Sequence, residues 1–206
     1  MCVGLSSIAH AQIAVGGVIA VSTHPQGSYD HILAPGFGGT SLGTVIFVDG
    51  PVKANIRAGA EVSLAKPISG SQHQRAGGGD YNEFVSEHRD TVIAGVLKVA
   101  AWTARRVEVA VVGGGGVARR ETNRIGMFRP LSTRFPATPF AEQLRDTVFA
   151  ATGGLDLSLA RGNHFAVVAL GRLHLLADRD EARGSNVKRG VSSYILRYGI
   201  GARVRF

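Results

Sequence analysis

The last thirteen residues, Tyr194-Ile-Leu-Arg-Tyr-Gly-Ile-Gly-Ala-Arg-Val-Arg-Phe206, constrain the fold more than any other stretch. At period two, Tyr194, Leu196, Tyr198, Ile200, Ala202, Val204 and Phe206 share one face. Ile195, Arg197, Gly199, Gly201, Arg203 and Arg205 share the other. One face is wholly apolar; the other is small or cationic, with Ile195 the single exception. Side chains that alternate in this way belong to a β-strand, because successive residues point to opposite sides of a sheet.

The same alternation recurs upstream. Gln12 to Ser22 sets Ile13, Val15, Ile19 and Val21 against Ala14, Gly16, Val18 and Ala20. Lys53 to Leu64 sets Ile56, Ala58, Ala60, Val62 and Leu64 against Arg57, Gly59, Glu61 and Ser63. Asp90 to Trp102, Arg106 to Ala118, Thr147 to Ala160 and His164 to Asp178 repeat the pattern. Gly39 to Val48 reads as a strand through Thr44-Val-Ile-Phe-Val48, but both its faces are apolar and its parity stays open. With the terminal strand this makes eight.

The connections alternate in length. Thr23 to Gly38, Pro67 to Arg89, Arg119 to Asp146 and Arg179 to Val191 read as long polar loops. Asp49-Gly50-Pro51, Thr103-Ala104-Arg105 and Arg161-Gly162-Asn163 read as tight turns. A meander with long loops on one rim and short turns on the other has this rhythm. An even strand number puts both chain ends on the short-turn rim.

The net charge of +8 raises a nucleic-acid partner, yet only 18% of residues are charged and the arginines are scattered, so none is expected. No apolar run approaches the ~20 residues of a membrane helix, so any membrane contact must be made by strands. Met1 to Gln12 resembles the tail of a secretory signal, with an Ala9-His10-Ala11 cleavage pattern. Residues 1–11 are read as a signal remnant and 12–206 as one barrel domain.

Two barrels fit such alternation. In a soluble lipocalin-like barrel the apolar rows line a ligand cavity; in a transmembrane barrel they face lipid. Three features favour lipid. Gly114, Gly116, Gly199 and Gly201 on the polar rows suit a crowded eight-stranded interior. The assignable apolar rows carry no formal charge, as lipid demands. Tyr194 and Phe149 fall at one end of their strands, and Phe165, Phe206 and Trp102 at the other, as two interfacial girdles do.

These rows, ending on Phe206, resemble the small eight-stranded outer-membrane β-barrels: the OmpA transmembrane domain, OmpX and the opacity-type proteins. The resemblance covers essentially the whole chain after residue 11. It implies an all-β, antiparallel, up-and-down transmembrane barrel in the outer membrane, with periplasmic termini and a monomeric, non-enzymatic role that is structural, surface-binding or porin-like. Outer-membrane lipid and lipopolysaccharide are the implied partners. Tyr198, Ile200, Ala202, Val204 and Phe206 match the C-terminal signal that the barrel-assembly machinery reads.

Several patterns mimic catalytic motifs. Gly39-Thr-Ser41-Leu-Gly43 fits a nucleophile elbow, which needs a helix after the serine; a strand follows here. Gly113 to Ala118 fits a dinucleotide fingerprint but precedes no amphipathic helix. The seven histidines show no metal-ligand spacing, with His24, His31, His73 and His88 placed in solvated loops. Lipid A-modifying barrel enzymes are the enzymatic alternative, but the His-x-Ser of the deacylases is missing. No catalytic residue, cofactor or metal is expected. The inward rows should instead bring Arg57, Glu61, Lys98, Glu108, Asp156, Arg172, His174, Arg197, Arg203 and Arg205 together as a plug, since charges in a low-dielectric interior must be paired or hydrated.

Overall fold

The computed structural model describes residues 12–24, 39–75, 81–130, 136–160, 164–177 and 194–206. The proposed signal remnant, His31, the turn at 161–163 and most of two loops lie outside them. Nine strand segments follow in order: β1 (Ala14–His24), β2 (Gly39–Lys53), β3 (Ile56–Ala65), β4 (Ile68–Arg75), β5 (Tyr81–Ala104), β6 (Val107–Arg129), β7 (Thr138–Ala160), β8 (Phe165–Leu176) and β9 (Tyr194–Arg205). All neighbours are antiparallel. The ring closes because β1 pairs with β9 and β3 with β5.

β3 and β4 are one stave of the barrel, broken at Lys66 and Pro67. β3 pairs with Thr91 to Val99 of β5, and β4 pairs with Tyr81 to His88 of the same strand. Proline has no amide proton to donate to a ladder, which accounts for the break. The ring therefore has eight staves, as the alternation implied.

Burial follows the two rows of each strand. On β9, Ile195, Arg197 and Arg203 are buried and Leu196, Tyr198, Ile200 and Val204 exposed. The parity of β2 is now fixed: Ser41, Val45, Phe47 and Asp49 face in, while Leu42, Ile46 and Val48 face out. Ile195, the exception in the cationic row, is fully buried and packs with Val92, Ala118, Val148, Ala150 and Leu176. A second apolar patch, Val18, Ala20, Val45, Phe47, Val168 and Leu170, lines another part of the interior. Tyr194 and Phe149 at one level, and Trp102, Phe165 and Phe206 at the other, are all exposed. Along β9, Tyr194 and Phe206 stand about 40 Å apart at ~3.3 Å per residue. At a strand tilt near 40° this projects to roughly 30 Å, close to the apolar band of a membrane barrel.

Three expectations about connections need correction. Asp49-Gly50-Pro51 is not a turn: β2 continues to Lys53 and the chain reverses at Ala54 and Asn55. Pro51 sits instead beside a register shift near the rim, where a lost ladder bond costs least. Pro67 to Arg89 and Arg119 to Asp146 are mostly strand rather than loop. β5, β6 and β7 run for 24, 23 and 23 residues, against 12 for β8 and 12 for β9. Among the described residues, β8 meets β7 from Ala150 to Ala160, and the distal part of β7 pairs with β6. A four-stranded sheet of β4, β5, β6 and β7 thus stands beyond the ring. The two enzyme-like glycine motifs lie inside β2 and β6, where neither makes a turn.

Candidate functional site: a charged lumen

The interior charges form levels. In the middle, the Lys98 ammonium on β5 lies 3.0 Å from Asp49 on β2, 3.1 Å from Asp156 on β7 and 3.4 Å from Glu61 on β3. It also sits 4.2 Å above the Phe47 ring, a cation–π contact. Arg172 on β8 is fully buried and reaches across the barrel. Its Nε and Nη2 donate to Glu61 at 2.8 and 2.6 Å, and Nη1 lies 2.7 Å from Asp156. Nη1 also donates to the carbonyls of Leu155 and Gly171. β3 and β8 are opposite staves, so this bidentate pair straps the lumen shut. Its fork geometry is one that arginine supplies and lysine does not.

Nearer the turn rim, Arg57 donates to both oxygens of Glu108 at 2.9 Å. Arg205 and Arg203 approach the same carboxylate at 3.8 and 4.0 Å. Arg203 also donates to the Ser158 hydroxyl and lies 3.8 Å from Asp49.

At the far level, Arg197 spans the barrel and donates from Nη2 to the Asp90 carbonyl at 3.3 Å. The His174 ring lies 3.0 Å from the Thr152 hydroxyl. His88 bridges Thr122 and Asp90 at 3.0 Å each. Arg197 Nε and Nη1 and Arg120 Nε and Nη2 meet no protein acceptor among the described residues.

All ten residues expected in the lumen lie on inward rows. Arg57, Glu61, Lys98, Glu108, Asp156, Arg172, Arg203 and Arg205 join one connected set of ion pairs; Arg197 and His174 stand apart at the far level. What links the middle to the rim is Asp49, which sequence reasoning placed in a turn. Asp90 and Arg120 were also missed as lumen residues. His88 is not a solvated loop residue but a cross-strand bridge on β5. His24 ends β1 and His73 lies in β4. Among the described residues no cluster of three or more His, Cys, Asp or Glu has metal-binding geometry. Tyr198, Ile200, Val204 and Phe206 of the C-terminal row are exposed on the outer wall, with Ala202 half-buried among them.

The Glu108 carboxylate is shared by three arginines near the rim. Glu108→Ala is expected to lower stability by about 1–2 kcal/mol, less than a fully buried pair because both partners keep some solvent. The midpoint of urea unfolding in detergent measures it, and an unchanged midpoint would show that water already satisfies Arg57.

No family model matches the sequence, and no curated protein is similar to it in sequence. Solved structures are similar in shape. Ail, the attachment invasion locus protein of Yersinia pestis, superposes with a TM-score of 0.51 at 10% identity, over 95% of this chain and 97% of that one. Neisserial surface protein A gives the same TM-score and identity over the same shares. The fold is that of the small outer-membrane β-barrels. In this chain the apolar rows ending in Val204 and Phe206 form the outer wall of that fold, and the ion pairs occupy the lumen. A lipocalin-like cavity is ruled out by the same burial, since the apolar rows face outward and Arg172, Arg197 and Arg203 fill the inside.

Proposed function

We propose that this chain is a non-enzymatic, monomeric outer-membrane protein with periplasmic termini, whose lumen is a structural plug and whose working surface is the sheet beyond the ring. The length of β5, β6 and β7 carries this reading. A barrel that only spanned lipid would need strands of about 9–11 residues. These strands continue well past the upper girdle, with Arg124 and Glu142 paired across them at 3.4 Å. A pre-formed, hydrogen-bonded sheet offers a rigid contact surface for another molecule, and adhesion is the role it suits best. Ail is named an attachment protein, and its likeness in fold is consistent with this reading.

Lipopolysaccharide is the lipid partner proposed for the loop side. Arg89, Arg119 and Arg145 project outward just past the Phe149 level, with Glu121 between them at 2.8 Å from Arg119 and 3.7 Å from Arg145. That arrangement suits charge-assisted bonds to lipid phosphates. The exposed row ending in Phe206 is proposed as the segment that assembly machinery recognises. The hydroxyl–imidazole–carboxylate order of Thr122, His88 and Asp90 is not read as catalytic. The backbone N–H groups around Thr122 are held in ladders on both sides, which leaves none to stabilise an oxyanion.

The test is removal of the distal hairpins, residues 70–86 and 123–143, with the paired strands rejoined by short turns. The shortened chain should still shift in gel mobility on boiling, as a closed barrel does. It should also lose the cell attachment that the full chain confers when displayed on a non-adherent bacterium. Attachment that survives the deletion would put the working surface elsewhere.

A further inference from the structure

The positive charge of this molecule is unevenly placed. Around the sheet end, outward Arg119 and Arg145 flank Glu121, and Arg124 pairs with Glu142 on the opposite face of the same strands. Around the turn rim stand Lys53, Arg57, Arg105, Arg106 and Arg205, and the acidic side chain described among them is Glu108, paired with Arg57 and Arg205. Glu108 is already held by both nitrogens of Arg57. Among the described residues, Lys53, Arg105 and Arg106 have no acidic partner, and all three are exposed.

The backbone points the same way. The β5–β6 turn is Arg105-Arg106, and Arg105 holds a φ of 39°, in the left-handed region that glycine or asparagine occupies with less strain. A cation stands at the tip of this turn at some conformational cost. Trp102 stands beside this turn on β5, and with Phe165 and Phe206 on the far side of the ring it makes the lower aromatic girdle, the level at which such residues meet lipid headgroups. Cations just beyond such a girdle lie at the level of lipid phosphates.

We infer that Lys53, Arg105 and Arg106 form a basic collar that gathers anionic phospholipid headgroups around the turn rim. This rests on the membrane-barrel reading and extends it to a specific lipid class, net-negative phosphodiesters without a cationic headgroup group. Zwitterionic lipids offer the same phosphate but cancel its charge, so the collar discriminates between the two. Each cation near an anionic surface strengthens association by roughly fivefold, from about 1 kcal/mol per Lys or Arg. Salt screens the effect within a Debye length.

Trp102 is the only tryptophan in the chain and lies three residues from Arg105, which makes it a local reporter. The full chain is refolded into phosphatidylcholine vesicles carrying a small fraction of brominated phosphatidylglycerol or brominated phosphatidylcholine. The brominated phosphatidylglycerol should quench Trp102 more strongly at equal mole fraction, and high salt should remove the difference. Lys53→Gln with Arg105→Gly and Arg106→Gln should abolish the preference. Glycine at 105 relieves the turn, so this variant folds at least as readily as the parent. Arg89→Gln with Arg119→Gln and Arg145→Gln, at the other end of the barrel, should leave the preference intact. Equal quenching by the two lipids, or a preference that persists without the collar, overturns the inference while leaving the barrel standing. No quenching by either lipid overturns both.

Discussion

Replacing Arg172 by methionine is expected to lower the free energy of unfolding by about 3–5 kcal/mol, the cost of leaving buried charge uncompensated. Arg172 makes a two-pronged contact with Glu61 and a close one with Asp156, and it is fully buried. Methionine fills much of its volume but satisfies neither acid. Lys98 is then left as the cation paired with Glu61 and Asp156, while it still shares Asp49 with Arg203. Unfolding in urea, followed by the boiling-dependent gel shift, measures the loss. Adding Glu61→Gln to the methionine variant should recover part of the loss, because it removes one stranded charge. Planar-bilayer recording supplies a second readout, since the strap across the lumen is gone and small-ion conductance should rise. An unaltered midpoint with unaltered conductance would mean that the pair neither holds nor seals the barrel.

The second large effect is steric. A Cβ added at Gly201 would fall 2.6 Å from the Val18 Cα and 2.8 Å from the Gly17 carbonyl carbon, and closer still to that carbonyl's oxygen. These are backbone atoms of the neighbouring strand and cannot swing aside. Gly201 and Val18 are register partners at the β1–β9 seam, so the clash falls where the ring closes. Gly201→Val is therefore expected to cost about 3 kcal/mol, the upper part of the usual overpacking range, and to block formation of the heat-modifiable species. Gly17→Val is the control. Gly17 has nothing within 4 Å of its added Cβ, faces outward, and should accept the substitution with little change.

Where lipid lies on one side and a polar interior on the other, the residues name their own faces. The rows of β1, β3 and β5 to β9 were readable for that reason, and with them eight of the residues now found in one ion-pair set. The reading failed where that contrast fails. β2 carries Val45 and Phe47 inward against Val18, Ala20, Val168 and Leu170, so both of its faces are apolar and Asp49 passed for a turn residue. A usable signal was present: Asp49 shares parity with Ser41, and the inward cations outnumbered the inward acids. Beyond the girdle, water wets both faces of the sheet. Residues such as Arg119, Glu121, Asn123 and Arg124 then need no period-two contrast, and their strands read as loops. The contact of His88 with Thr122 depends on the β5–β6 register, and its contact with Asp90 on both lying in one extended strand, where a loop was expected.

The seam between β1 and β9 has a consequence for how the molecule comes into being. It pairs Ala14 with Arg205 and Thr23 with Leu196, so its contacts span almost the entire chain. Contacts this distant in sequence carry a large loop-closure entropy and slow folding. Every ring that stops short of Tyr194 exposes two unpaired strand edges to lipid, where their amide and carbonyl groups have no partner. Until the twelve residues of β9 pair with both neighbours, β1 and β8 each keep an open edge, so closure of the ring is a single late event.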